Sequence, residues 1–112
     1  MGIFMSMLQP FDHEHINLSP ELPGVYIIYD RDIPVYVGRS AVSIRERLHA
    51  HKEGRGNWFL RLIGPSPTVS FEYETMLSGE QAESKLIRLL RTKRYANYRL
   101  ETDPAMRHLK DL

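Results

Sequence analysis

The stretch Gly24-Val25-Tyr26-Ile27-Ile28-Tyr29-Asp30-Arg31-Asp32-Ile33-Pro34-Val35-Tyr36-Val37-Gly38 decides how this chain folds. Val25, Ile27 and Tyr29 alternate with Tyr26, Ile28 and Asp30, and β-branched or aromatic residues dominate, which is the pattern of a strand. Asp30-Arg31-Asp32 reads as a turn, after which Pro34 opens a second short strand over Val35 to Gly38. A connection this tight implies an antiparallel hairpin.

Further along the chain, Ser43 followed by Glu46 has the spacing of a capping box, so a helix is predicted from about Ile44 to Lys52, stopping near Gly54. Gly56 to Ile63 fits a short helix that Gly64-Pro65-Ser66-Pro67 ends. Val69, Phe71 and Tyr73 alternate within a third strand, roughly Thr68 to Thr75. Ser78 and Gln81 repeat the capping-box spacing and predict a longer helix from Gly79 to about Lys93, and Asp103 to Leu109 is expected to add a last helical turn or two. Residues 1–22 show no sustained periodicity. The expected organisation is therefore a loosely structured extension over 1–22, one folded domain over 23–100, and a tail or short helix over 101–112.

Charge is distributed unevenly along the chain. The 112 residues carry 15 Lys and Arg against 14 Asp and Glu, a net +1, yet residues 39–61 hold six basic residues against two acids and residues 85–99 hold six with none. Brought together within a Debye length, about 8 to 10 Å, those two segments would attract a polyanion despite the near-neutral total. Arg39, Arg45, Lys52, Arg55, Arg88, Arg91 and Arg94 are the expected contacts to a nucleic-acid backbone. The absence of cysteine excludes thiol catalysis, Cys-ligated zinc and iron–sulfur clusters, and it fits a reducing compartment. No run approaches the roughly 18 apolar residues of a membrane span. Met-Gly-Ile-Phe-Met-Ser lacks the features of a secretory signal, so a cytoplasmic location without a membrane partner is expected.

Two helical positions carry chemistry. At about 100° per residue, Arg47 and His51 share one edge of the seam formed by Ile44 and Leu48. A guanidinium and an imidazole so placed could grip a phosphate, although an arginine with a packed stem beside a satisfied core histidine has the same pattern. On the later helix Glu83 falls between Leu90 and Ile87 on the inward side, where a carboxylate needs either a divalent cation or a distant arginine as partner. Trp58 and Phe59 suit a core or lid role more than base stacking. His13-Glu14-His15 lacks the i, i+4 spacing of a helical metal site and reads as surface.

Taken in order, Gly24-Val25-Tyr26, Tyr36-Val37-Gly38 with its tyrosine ten positions after the first, Arg47, His51, Glu83 and Asn97 resemble the GIY-YIG nuclease domain over residues 24 to about 98. Valine stands for isoleucine in both tripeptides. One extra residue before Arg47 makes Arg45 a competitor for the family arginine, and the histidine four residues after Arg47 favours Arg47. The resemblance implies an α+β fold, a small three-stranded antiparallel sheet flanked by helices, and metal-dependent hydrolysis of a DNA phosphodiester. It implies one Mg²⁺ or Mn²⁺ on Glu83, Tyr26 as general base, Arg47 stabilising the phosphoryl transition state, and Tyr36 and His51 orienting the reacting groups. Gly24, Gly38 and Asn97 would support the site. Target choice is expected to come from DNA shape, from a second copy of the chain in a homodimer, or from a partner protein. The alternative is a nucleic-acid-binding or assembly module that keeps the fold without the reaction.

Overall fold

The computed structural model describes residues 6–92 together with Tyr95 and Asn97. The expected helical turn at Asp103 to Leu109 and the expected phosphate contact Arg94 lie outside the described residues. The elements in chain order are β1 (Gln9–Pro10), α1 (His13–Asn17), β2 (Gly24–Asp30), β3 (Ile33–Ser40), α2 (Ile44–Lys52), α3 (Trp58–Ile63), β4 (Val69–Thr75) and α4 (Glu80–Leu90). They form an α+β fold around one antiparallel sheet of strand order β1-β4-β2-β3.

The hairpin forms as its sequence predicts. Arg31 and Asp32 both adopt left-handed backbone, φ 51° and 65°, as a two-residue turn matched to the twist of its strands requires. Strand β2 pairs with β3 on one side and β4 on the other, with Tyr26 opposite Gly38 and Tyr73, and Ile28 opposite Tyr36 and Phe71. Being central, β2 buries both faces, so Gly24 to Tyr29 are buried without a break. Tyr26 and Ile28 join Phe11, Ile16, Tyr36, Ile44, Leu48, Leu60 and Phe71 in one core. Val25, Ile27, Tyr29 and Val37 meet Leu86 and Ile87 of α4 in a second core on the opposite face.

The sheet has four strands where three were expected, and the described residues before Gly24, expected to be loosely structured, include β1 and α1. Phe11 donates its amide to the Val69 carbonyl at 3.0 Å and sets its ring edge-on to Phe71 at 6.1 Å. Asp12 caps α1 by accepting from the His15 amide at 2.8 Å, and Ile16 is fully buried. A two-residue strand and a five-residue helix are too short to carry a hydrophobic period, so their order comes from packing alone. A second correction concerns α4. Its cap is Gly79, with no side-chain capping bond, in place of Ser78. A side chain at Gly79 would come within 2.6 Å of Val25 Cγ2, so the chain approaches the sheet too closely there for anything but glycine. By contrast Ser43 caps α2 as predicted, accepting from the Glu46 amide at 3.2 Å. Among the described residues no helix is long and apolar enough to cross a membrane.

Candidate active site

Tyr26 and Tyr36 project from neighbouring strands onto the face covered by α2, their ring centroids 6.1 Å apart. The last turn of α2 delivers His51 between them, 5.8 Å from the Tyr26 ring and 5.1 Å from the Tyr36 ring. The Tyr26 hydroxyl and His51 Nε2 are hydrogen-bonded at 2.8 Å. Arg47, one turn earlier on α2, brings its guanidinium within hydrogen-bonding reach of both tyrosine hydroxyls, which hold it firmly protonated. The helical edge read from the sequence thus becomes a wall of the tyrosine pair.

Glycine creates the room for this cluster. A Cβ on Gly38 would overlap the Tyr26 ring and hydroxyl, approaching Cε1 to 2.7 Å, so only glycine at this position lets the phenol lie across β3. A Cβ on Gly24 would overlap the Glu74 carbonyl and reach within 2.7 Å of Ile44 Cδ1, where β2, β4 and α2 converge. Gly56, at φ 104°, lies against the outer edge of His51, with Nδ1 3.5 Å from the position of its absent Cβ. The loop after α2, read from the sequence only as a helix stop at Gly54, is therefore also the lid over His51.

The electrostatics follow from burial. Tyr26 is fully buried, and loss of hydration pushes its phenol up to about 12, with Arg47 pulling it down and the Glu83 charge adding to the rise. Burial, reinforced by Arg47, pushes His51 down to about 3, so its ring is neutral near pH 7. Among the described residues its Nδ1 is buried with no hydrogen-bond partner.

Glu83 lies in the first turn of α4 and is 7% exposed. It is close enough for its charge to be felt at Tyr26, and its Oε1 meets Arg39 Nε at 3.1 Å. Both partners named from the sequence for such a carboxylate, a cation or a distant arginine, remain compatible with this environment. Among the described residues no three His, Asp or Glu side chains gather into a metal site. A single buried carboxylate is nonetheless a suitable donor for Mg²⁺, which retains waters and takes further oxygens from phosphate. Asn97 is held against β3. Its Oδ1 accepts from the Val37 amide at 2.6 Å and its Nδ2 donates to the Val37 carbonyl at 3.0 Å, in the manner of one more strand on the free edge of β3.

The expected phosphate contacts divide into two groups. Arg45 turns away from the tyrosines to donate to the Ser19 carbonyl at 2.8 Å and to pair with Glu21 at 3.1 Å, leaving Arg47 as the arginine of the cluster. Lys52 donates to the Gly64 carbonyl at the end of α3 at 2.8 Å, and Arg55 pairs with Glu53 at 2.6 Å. Arg39 belongs to Glu83. Arg88 and Arg91 are exposed, as expected for an outer face. These pairings span up to 44 positions in sequence and have no local signature.

The fold that brings this phenol, fixed positive charge and buried carboxylate together is that of a nuclease domain. The chain belongs to the GIY-YIG catalytic domain family, whose model matches residues 22–96. It is similar in structure to the GIY-YIG N-terminal endonuclease domain of UvrC from Thermotoga maritima bound to its catalytic divalent cation, magnesium. The TM-score is 0.59 at 26% identity, over 71% of this chain and 90% of that one. A point mutant of the same domain bound to its catalytic divalent cation matches with TM-score 0.59 and 26% identity, over 71% of this chain and 89% of that one. No curated protein matches the chain.

Proposed function

We propose that this chain is a metal-dependent DNA endonuclease whose reaction is carried by Tyr26, Arg47 and Glu83. The observation that carries the reading is the convergence on Tyr26 of His51 by hydrogen bond, Arg47 by hydrogen bond and charge, and Glu83 by charge. Tyr26, as phenolate, takes a proton from the attacking water while the water oxygen bonds to phosphorus and the leaving oxygen departs. Arg47 neutralises charge developing on the phosphoryl oxygens and also favours the ionised phenol. Tyr36 and His51 hold the Tyr26 ring and hydroxyl in place. Glu83 would hold one divalent cation, Mg²⁺ by analogy with the UvrC domain or Mn²⁺, which when bound would offset the negative charge of the phosphate.

The test is cleavage of branched, single-stranded and duplex DNA with Mg²⁺ or Mn²⁺, using Glu83→Ala and Tyr26→Phe as folded controls. Loss of cleavage in both variants is expected. Equal residual cleavage in the variants would sink the reading, and DNA binding without any cleavage by the parent chain would identify a silent binding module.

A further inference from the structure

Arg39 follows the second tripeptide near the end of β3, and its side chain reaches the first turn of α4. Its Nε lies 3.1 Å from Glu83 Oε1 and its Nη2 lies 3.8 Å from Glu80 Oε1. The two acids differ in setting: the Glu83 side chain is 9% exposed and that of Glu80 is 74% exposed, while Arg39 itself is 37% exposed. One guanidinium therefore spans a buried carboxylate and a solvated one.

We infer that Arg39 is the resident counter-ion of Glu83 and that incoming DNA phosphate draws it off, so that divalent-cation binding and DNA binding are coupled at this site. The inference rests on the reading of Glu83 as the cation-holding carboxylate. A guanidinium does not deprotonate at working pH, so it can leave a carboxylate only by moving. While it stays on Glu83 it competes by charge with a divalent cation, the more so because the carboxylate is buried. Phosphate offers the same fork geometry as carboxylate and a comparable charge, and the partly exposed Arg39 side chain is open to an anion from solvent. Glu80, one turn earlier on the same helix face, gives the guanidinium a second acidic neighbour and eases its departure. By linkage, a phosphate that frees Glu83 raises cation affinity, and a bound cation raises DNA affinity by the same factor. The consequence is a nuclease that carries little metal until it meets its substrate.

The experiment measures Mn²⁺ binding by the whole chain, with and without a short phosphorothioate duplex at constant ionic strength. Without DNA, Arg39→Gln is expected to bind Mn²⁺ about fivefold more tightly than the parent, the scale of one partly exposed ion pair, and Arg39→Lys to stay close to the parent. The duplex is expected to raise Mn²⁺ affinity in the parent and to raise it less in Arg39→Gln. Unchanged or weaker Mn²⁺ binding by folded Arg39→Gln overturns the competition. A duplex that leaves the parent's affinity unchanged, or raises both proteins alike, overturns the release. Glu83→Gln separates the two readings: if it still binds Mn²⁺ like the parent, the assignment of the cation site itself has failed.

Discussion

The hydrogen bond of 2.8 Å between the Tyr26 hydroxyl and His51 Nε2 ties the central strand to the last turn of α2 in the buried core. Because His51 is neutral, the proton in this bond is shared between a phenol and an imidazole without a net charge. Tyr26→Phe keeps the ring but leaves Nε2 without its partner, so it should cost about 1 to 2 kcal/mol of stability. Cleavage should fall far more, by about 100-fold or greater, since the group proposed to take the water's proton is gone. Thermal melts paired with initial cleavage rates check the split, and a rate loss no larger than the loss of folded protein argues against Tyr26 as the base.

The pH dependence has two parts with opposite origins. Tyr26, proposed as the base in its ionised form, sits near 12, so the rate should climb with pH through the neutral range, by about one log unit per pH unit. His51, displaced to about 3, should add no limb between about pH 5 and about pH 8. A rate plateau set by a group titrating near 6.5 would contradict this arrangement.

Stability carries the complementary signature. The folded-state value for His51 lies below the unfolded one, so the unfolded chain binds the extra proton, and stability falls as pH drops from about 6.5 toward the folded value. His51→Gln should flatten that acid slope. Denaturant midpoints measured across this range report it directly, and an equal slope in parent and variant would assign the acid sensitivity to other groups.

How much of this was readable beforehand follows from which interactions are local. Ser43 and Glu46 set the start of α2 because a capping box is a contact three residues long, and the 3.6-residue period then placed Arg47 and His51 beside the buried seam. The same logic failed at Ser78 and Gln81, where the close approach of Gly79 to Val25 overrode the local signal. Order in Phe11 and Ile16, the Arg39–Glu83 pair, and the hydrogen bond from Tyr29 to fully buried Glu72 on the far face all join segments distant in sequence. No local pattern encodes such pairs. The order of the motifs nonetheless groups Tyr26, Tyr36, Arg47 and His51, and in the fold these four lie side by side.

Gly38→Ala tests whether the second tripeptide is a steric device. The added methyl would overlap the Tyr26 phenol, which is fixed from behind by His51 and cannot retreat. The overpacking should cost about 1 to 3 kcal/mol. Because the displaced atoms belong to the proposed base, cleavage should drop by more than the stability loss explains. A variant with a lowered melting temperature but full activity per folded molecule would show that the phenol has room to adjust.

Asn97 holds both the amide and the carbonyl of Val37, the residue between Tyr36 and Gly38. Asn97 is 2% exposed, so Asn97→Ala strands two buried backbone groups and should destabilise the fold by about 2 to 3 kcal/mol. Asn97→Asp discriminates further. It keeps an acceptor for the Val37 amide but loses the donor and sets a negative charge against the Val37 carbonyl, so it should be at least as damaging as alanine near neutral pH and recover on acidification as the carboxyl gains a proton. Hydrogen exchange at the Val37 amide reads the effect at its source. Faster exchange there in both variants is expected, whereas protection unchanged from the parent would mean that β3 holds its edge without Asn97.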